Sequence, residues 1–192
     1  ISAEYPDVKV ISCSTSGEIY DQEITDDSIS GIAVRMEHTP VAIRNVKIND
    51  RGNSWEAGRT LASELSKEDL KYVFLASDGW EVNGTELING IYHVLSKEVA
   101  ISGGLAADGV NFAKTMVGIN DDISSGNIVA IAFYGNNLKV GFGTHGGWDE
   151  HGETMTLTRG DGRIVHELDG KPALELYKQF LGEDADGLPV TS

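Results

Sequence analysis

The chain has 192 residues, enough for one good-sized domain with a real core. Hydrophobic residues make up 40% and charged residues 23%, an ordinary globular balance, while the formal net charge of −15 disfavours nucleic acid and anionic membranes as partners. The longest apolar run, Ile128 to Tyr134, is far short of a membrane span, and no basic-then-apolar leader stands at the N-terminus. A single cysteine, Cys13, has no internal partner, which points to a reducing, cytoplasmic compartment.

In chain order, Ile1 to Tyr5 reads as the end of a helix and Pro6-Asp7 as a turn. Val8 to Ser14, Ile29 to Glu37 and Val41 to Ile48 read as strands, the last two joined through His38-Thr39-Pro40. A helix is expected from about Ser54 to Ser66. Asn53 is placed to cap it, with Glu56 three residues on and an apolar face of Trp55, Gly58, Ala62 and Leu65. Tyr72 to Ala76 is continuously apolar, as in a strand covered on both sides. A second helix, Gly84 to about Lys97, repeats the capping pair in Asn83 and Glu86 and carries the stripe Leu87, Ile88, Ile91 and Leu95.

Strands then dominate. Val99 to Ser102 runs into a Gly-Gly break, Lys114 to Ile119 is short, and Ile128 to Tyr134 is a buried strand. Asn136-Asn137 suits a tight turn before an alternating strand over Leu138 to Phe142. Thr154 to Arg159 and Arg163 to Leu168 form a hairpin about Asp161-Gly162, and a last helix starts near Pro172 and ends before Asp186-Gly187-Leu188-Pro189. Early interleaving and late strands argue for an α+β fold. The expected architecture is a mixed, largely antiparallel sheet, or sheets, with helices packed outside.

The usual enzyme signatures are missing: no phosphate loop ending in Gly-Lys-Ser/Thr, no helical His-Glu-x-x-His, no Cys-x-x-Cys. Gly141-Phe142-Gly143-Thr144-His145-Gly146 matches G-x-G-x-x-G, but a turn and a strand follow where the dinucleotide motif needs a helix. Cys13-Ser14-Thr15-Ser16-Gly17 places a thiol and hydroxyls at a strand end. A nucleophile elbow would need Gly at Ser12, and a phosphatase loop would need Arg at Ile19, so a buried thiol followed by a hydroxyl-rich turn is the simpler reading. His93 should face water, His38 lies in a turn, and His166 should be half-buried. His145 and His151 share a loop without a known metal spacing. Asp121-Asp122, Asp184 and Asp186 read as solvated turns rather than a calcium loop.

Four Gly-rich strand ends remain: Ser14 to Glu18, Ser77 to Gly79, Gly103 to Gly109 and Thr144 to Trp148. Glycine lets backbone come close to a ligand or to another strand. These ends either line one cleft or are separate tight turns.

The same residues resemble the FIST domain family. Ser12-Cys13-Ser14-Thr15-Ser16-Gly17-Glu18-Ile19 is similar to its early signature, and Ser77-Asp78-Gly79 with Asn83-Gly84 and Leu87 to its next block. Gly103-Gly104-Leu105-Ala106 to Asp108-Gly109, with Thr115, resembles the Gly-Gly block. His145-Gly146-Gly147-Trp148, then Thr156 to Leu168 and Asp169-Gly170-Lys171-Pro172 with Tyr177, resembles the last stretch. A second glycine between His145 and Trp148 departs from the pattern.

The resemblance implies an intracellular, mostly bacterial sensory domain that binds a small ligand such as an amino acid. It implies a signalling output as partner: a histidine kinase, a chemoreceptor or a cyclic-dinucleotide enzyme. Residues 1–186 would be an N-terminal-type FIST domain lacking its first strand and helix, and 187–192 the start of a linker to a C-terminal half. The ligand-binding set would be Cys13, Ser14, Thr15, Gly17, Glu18, Asp78, Gly79, Gly103, Gly104, Asp108, Gly109, His145 and Trp148. Glu18, Asp78 and Asp108 would offer carboxylates to an amine, and Trp148 an apolar wall. No catalytic residue is expected. Three alternatives stay open. One is haem, a cofactor some FIST proteins are described as using to sense nitric oxide, with His145 or His166 as axial ligand. The others are a hydrolase using Cys13 or Ser14, and a protein-interaction scaffold without a ligand.

Overall fold

A computed structural model of the chain describes residues 4–144, 146–147, 149–150 and 152–188. They form two compact units that divide between Gly141 and Phe142.

The first unit is organised by a four-stranded sheet of β4 (Val41–Lys47), β5 (Leu70–Ser77), β6 (Ala100–Leu105) and β9 (Asn127–Tyr134), in the order β4-β9-β5-β6. The β4–β9 and β9–β5 pairs are antiparallel and β5–β6 is parallel. Period-two alternation splits the residues of β5 and β9 between two faces. Val73 and Leu75, with Ile128, Ala130 and Ala132, face two helices, α1 (Ser54–Ser63) and α2 (Gly84–Val94). Ala76 and Val129 face the other way, toward a three-stranded antiparallel sheet of β1 (Ile11–Cys13), β7 (Val117–Ile119) and β8 (Asp122–Ser124). Asn127 ties the two sheets: its Nδ2 donates to the Val117 carbonyl at 3.1 Å.

Both expected helix caps form. The Asn53 side chain accepts the Glu56 N–H at 2.8 Å, and the Asn83 side chain accepts the Glu86 N–H at 3.1 Å. Glu56 does not reach back to the cap; it pairs with Arg59 at 2.8 Å. The helices meet on two glycines. A Cβ on Gly58 would stand 2.2 Å from the Leu87 carbonyl oxygen, and one on Gly90 2.0 Å from that of Trp55. Leu61, Leu87 and Ile91 are buried beside this crossing, each contributing about 1.5–3 kcal/mol of hydrophobic stabilisation.

The α+β class and the largely antiparallel sheets match the sequence reading, and four segments depart from it. Ile29 to Glu37 is not a strand; it runs without regular structure and leaves Ile29 98% exposed. An apolar, β-branched run becomes a strand only when a neighbour accepts its hydrogen bonds, and none does so among the described residues. Leu138 to Phe142 likewise stays irregular after the turn at Asn136-Asn137. The Gly-Gly pair does not break its strand: β6 continues through Gly103 and Gly104 to Leu105. Gly103 has a φ of +144° and lies so close to β5 that a Cβ would meet the Leu75 carbonyl oxygen at 1.9 Å. Finally, β5 is not covered on both sides along its length, since Phe74 is 38% exposed.

The sequence pattern also missed a small hairpin, β2 (Glu18–Tyr20) with β3 (Glu23–Thr25), because each strand has only three residues.

The second unit holds the expected hairpin, β10 (Leu157–Asp161) and β11 (Ile164–Leu168), extended by β12 (Lys171–Pro172). The expected last helix follows as α3 (Ala173–Leu181). His166 is half-buried on β11, as its alternation with Ile164 and Leu168 suggests. No helix among the described residues is long and apolar enough to cross a membrane.

Candidate functional site

Where β1 ends, the chain enters the Ser14–Glu18 turn. Ser14 prolongs the strand pairing, donating its N–H to the Met116 carbonyl at 2.9 Å, while its Oγ accepts the Met116 N–H at 3.0 Å. The Ser14 carbonyl accepts the Ala107 N–H at 3.0 Å. Two residues on, the Ser16 Oγ accepts the Gly109 N–H at 3.1 Å. These bonds hold the Cys-Ser-Thr-Ser-Gly turn against the segment that leaves β6.

That segment is shaped by Asp108. Its Oδ2 accepts the N–H groups of Ala113 and Lys114 at 2.7 and 2.8 Å, and its carbonyl accepts the Asn111 side-chain amide at 2.8 Å. The Lys114 and Ala113 N–H donors hold the carboxyl below its ordinary range, so Asp108 is ionised at neutral pH. Glu18 organises a third stretch. It accepts the Thr15 hydroxyl on one oxygen and the Ser28 hydroxyl, at 3.2 Å, on the other. Ser28 is also bonded to Thr25 at 2.7 Å.

Together the three stretches border a hollow of about 920 Å³, lined by residues 11–18, 26–30 and 108–111. Its wall carries the Glu18, Asp26, Asp27 and Asp108 carboxylates, several serine hydroxyls, the threonine hydroxyl and the Cys13 thiol. Among the described residues, no lysine, arginine or histidine lines it. Seven residues singled out in the sequence come together here: Cys13, Ser14, Thr15, Gly17, Glu18, Asp108 and Gly109. Cys13 is exposed, not buried as its strand-end position suggested, because the strand has only three residues and the thiol stands at its open end. Asp26, Asp27 and Ser28 carried no motif and were missed.

Asp78 and Gly79 are placed elsewhere. Asp78 is fully buried, and both carboxylate oxygens are taken by the protein itself. Oδ1 accepts the Trp80 and Glu81 N–H groups at 2.8 and 2.6 Å, and Oδ2 accepts the Gly126 N–H at 3.0 Å. Burial pushes its pKa up. The N–H groups of Glu81 and Gly126, the Thr115 hydroxyl and the Trp80 N–H together outweigh that, leaving it below the usual 3.8. Gly79 donates to the Thr115 Oγ1 at 2.9 Å and passes tightly under the chain, with room for a Cβ only 2.0 Å from the Ala106 carbonyl oxygen. Gly103 and Gly104 line a different hollow, about 310 Å³ and largely apolar, between β6 and α2. His145 and Trp148 lie outside the described residues.

The FIST N domain model matches residues 1–171 of the 192. The chain belongs to the FIST N domain family. FIST domains are a family of sensory domains in signal-transduction proteins. A similar curated protein is MJ1623 of Methanocaldococcus jannaschii, described as uncharacterised, which is 26% identical over 191 residues. The match takes in 91% of this chain and 35% of that protein, so the FIST chain spans about a third of its relative's length. No solved structure matches it.

Proposed function

We propose that this FIST domain is the ligand-binding input module of a signalling protein. Its ligand is a small polar metabolite carrying an amine, such as an amino acid, held in the hollow between the Cys13–Glu18 turn, the Asp26–Ser30 stretch and the Asp108 loop. One observation carries the reading. Among the described residues, the hollow's wall has four carboxylates, a row of hydroxyls and no basic side chain. A concave wall of one charge sign concentrates ligands of the opposite sign. The Ser14 and Ser16 hydroxyls accept backbone N–H groups while keeping a proton to donate.

Binding rather than catalysis is the proposed role. Among the described residues, Cys13 and Ser14 share the hollow with no histidine, the usual partner of an activated thiol or hydroxyl. The same observation favours a metabolite over haem: among the described residues, neither hollow has a histidine in its wall to serve as axial ligand. A ligand that bridges the three stretches would favour one arrangement of the loops. That shift would pass to an output such as a histidine kinase, chemoreceptor or cyclic-dinucleotide enzyme in a cytoplasmic protein. In this reading residues 1–186 form the N-terminal half of the sensor.

A thermal-shift screen against amino acids, simple amines, organic acids and haemin tests it. An amine-bearing ligand at about a hundred times its dissociation constant should stabilise the fold by roughly 2.7 kcal/mol. Glu18→Gln and Asp108→Asn should each weaken the response. A shift given only by organic acids or haemin, or an amine response untouched by both variants, would overturn the assignment.

A further inference from the structure

The two edges of the four-stranded sheet are unlike. The outer edge of β4 follows Pro40 and carries Arg44 and Lys47, the proline and cations that discourage a second strand from adding. The outer edge of β6 has no such guard. From Val99 to Ala107 the chain has no ionisable side chain and no proline. The Ala106 N–H donates to the Ser77 carbonyl at 2.8 Å, so even-numbered residues of β6 turn toward β5. The N–H and C=O groups of Ile101, Gly103 and Leu105 therefore point outward, and they have no partner among the described residues. On the helix side of this edge lies the 310 Å³ apolar hollow, open where Gly103 has no side chain between Ile101 and Leu105.

We propose that β6 is a homodimer edge, pairing antiparallel with β6 of a second copy about a two-fold axis through Ser102. A two-fold contact must be self-complementary, and this strand is so about Ser102. Ile101 faces Gly103 of the other copy, Ala100 faces Gly104, and Val99 faces Leu105. Each large side chain meets a small or apolar one, and each Ile101 leans into the hollow left by the other copy's Gly103, as neighbouring strands do for edge glycines. Ile101 and Gly103 both direct their backbone groups outward, so they form the hydrogen-bonded pair in this register, and Ser102 forms the close non-hydrogen-bonded pair. A register centred on Gly103 would satisfy the backbone as well but leave both hollows empty. Charge selects the same edge. Two chains of net charge −15 repel, and they can approach where the strip between them is uncharged.

The register makes a sharp test. Cα atoms of a non-hydrogen-bonded antiparallel pair lie about 4.5 Å apart, within reach of a disulfide. In a Cys13→Ser background, Ser102→Cys should give a covalent dimer on mild oxidation. Gly104→Cys, whose site is open and faces Ala100 of the other copy, should not. Sedimentation of the 192-residue chain in about 0.15 M salt, where the Debye length is near 8 Å, should show a concentration-dependent dimer. Leu105→Lys, at a 51% exposed position, should weaken that dimer at least tenfold while leaving the circular dichroism unchanged. A monomer at every concentration overturns the proposal, even one that takes up a supplied strand peptide. So does a dimer that ignores Leu105→Lys, or one that cross-links through Gly104→Cys and not through Ser102→Cys.

Discussion

The carboxylate of Asp78 accepts the backbone N–H of Gly126 at 3.0 Å, across 48 residues of chain. With the Trp80 and Glu81 N–H groups on its other oxygen, it joins the turn after β5 to the hairpin that leads into β9. Removing the carboxylate would leave these donors without an acceptor in a dry interior. Asp78→Ala should destabilise the protein by about 3 kcal/mol, read as a lower urea midpoint. Asp78→Asn should cost less, since its carbonyl oxygen keeps some of the bonds.

The same residue sets a pH dependence. The folded protein holds the Asp78 proton less tightly than the unfolded chain, whose value is near 3.8. Its contribution to stability is therefore full above that value and is lost as pH falls through the lower folded pKa. Acid unfolding followed by circular dichroism should show a step below about pH 4 that is reduced in Asp78→Asn.

Gly58 and Gly90 let α1 and α2 cross with backbone against backbone. Gly→Ala inside an exposed helix usually stabilises, because it lowers the entropy of the unfolded chain. Here each added methyl would collide with a carbonyl oxygen, 2.2 Å away at Gly58 and 2.0 Å at Gly90. Gly58→Ala and Gly90→Ala should each cost about 1–3 kcal/mol in chemical denaturation, the penalty for overpacking. Either variant matching or exceeding the parent in stability would contradict the crossing.

Asp108 shapes its loop from a partly exposed position. Asp108→Ala should leave the overall fold intact and speed hydrogen exchange at the Ala113 and Lys114 amides, which lose their acceptor. Unchanged exchange at both would mean that the loop does not depend on the carboxylate.

The segment holding Ile29 and Ile32 offers a contrast with the core. The two side chains are 98% and 90% exposed, so Ile32→Ser should change stability by no more than about 0.5 kcal/mol. Leu61→Ala, at a site 1% exposed, should cost about 2–5 kcal/mol in the same urea titration.

What the amino-acid sequence determined by itself was whatever closes locally. The helices α1 and α2 were legible because Asn53 and Asn83 satisfy N–H groups three residues away and because their apolar stripes recur with the helical period. The hairpin of β10 and β11 was legible for a similar reason: its partners are neighbours in the chain. Tertiary structure decided everything whose partner lies far off. Ile29 to Glu37 has the composition of a strand and, among the described residues, no strand beside it, whereas Gly103 and Gly104 look like a break and are carried as strand by β5. Asp78, Asp108 and Glu18 were three equivalent carboxylates on paper. Long-range packing buried the first and left the other two around one hollow, because burial and hydrogen-bond partners are properties of the folded chain and not of a motif.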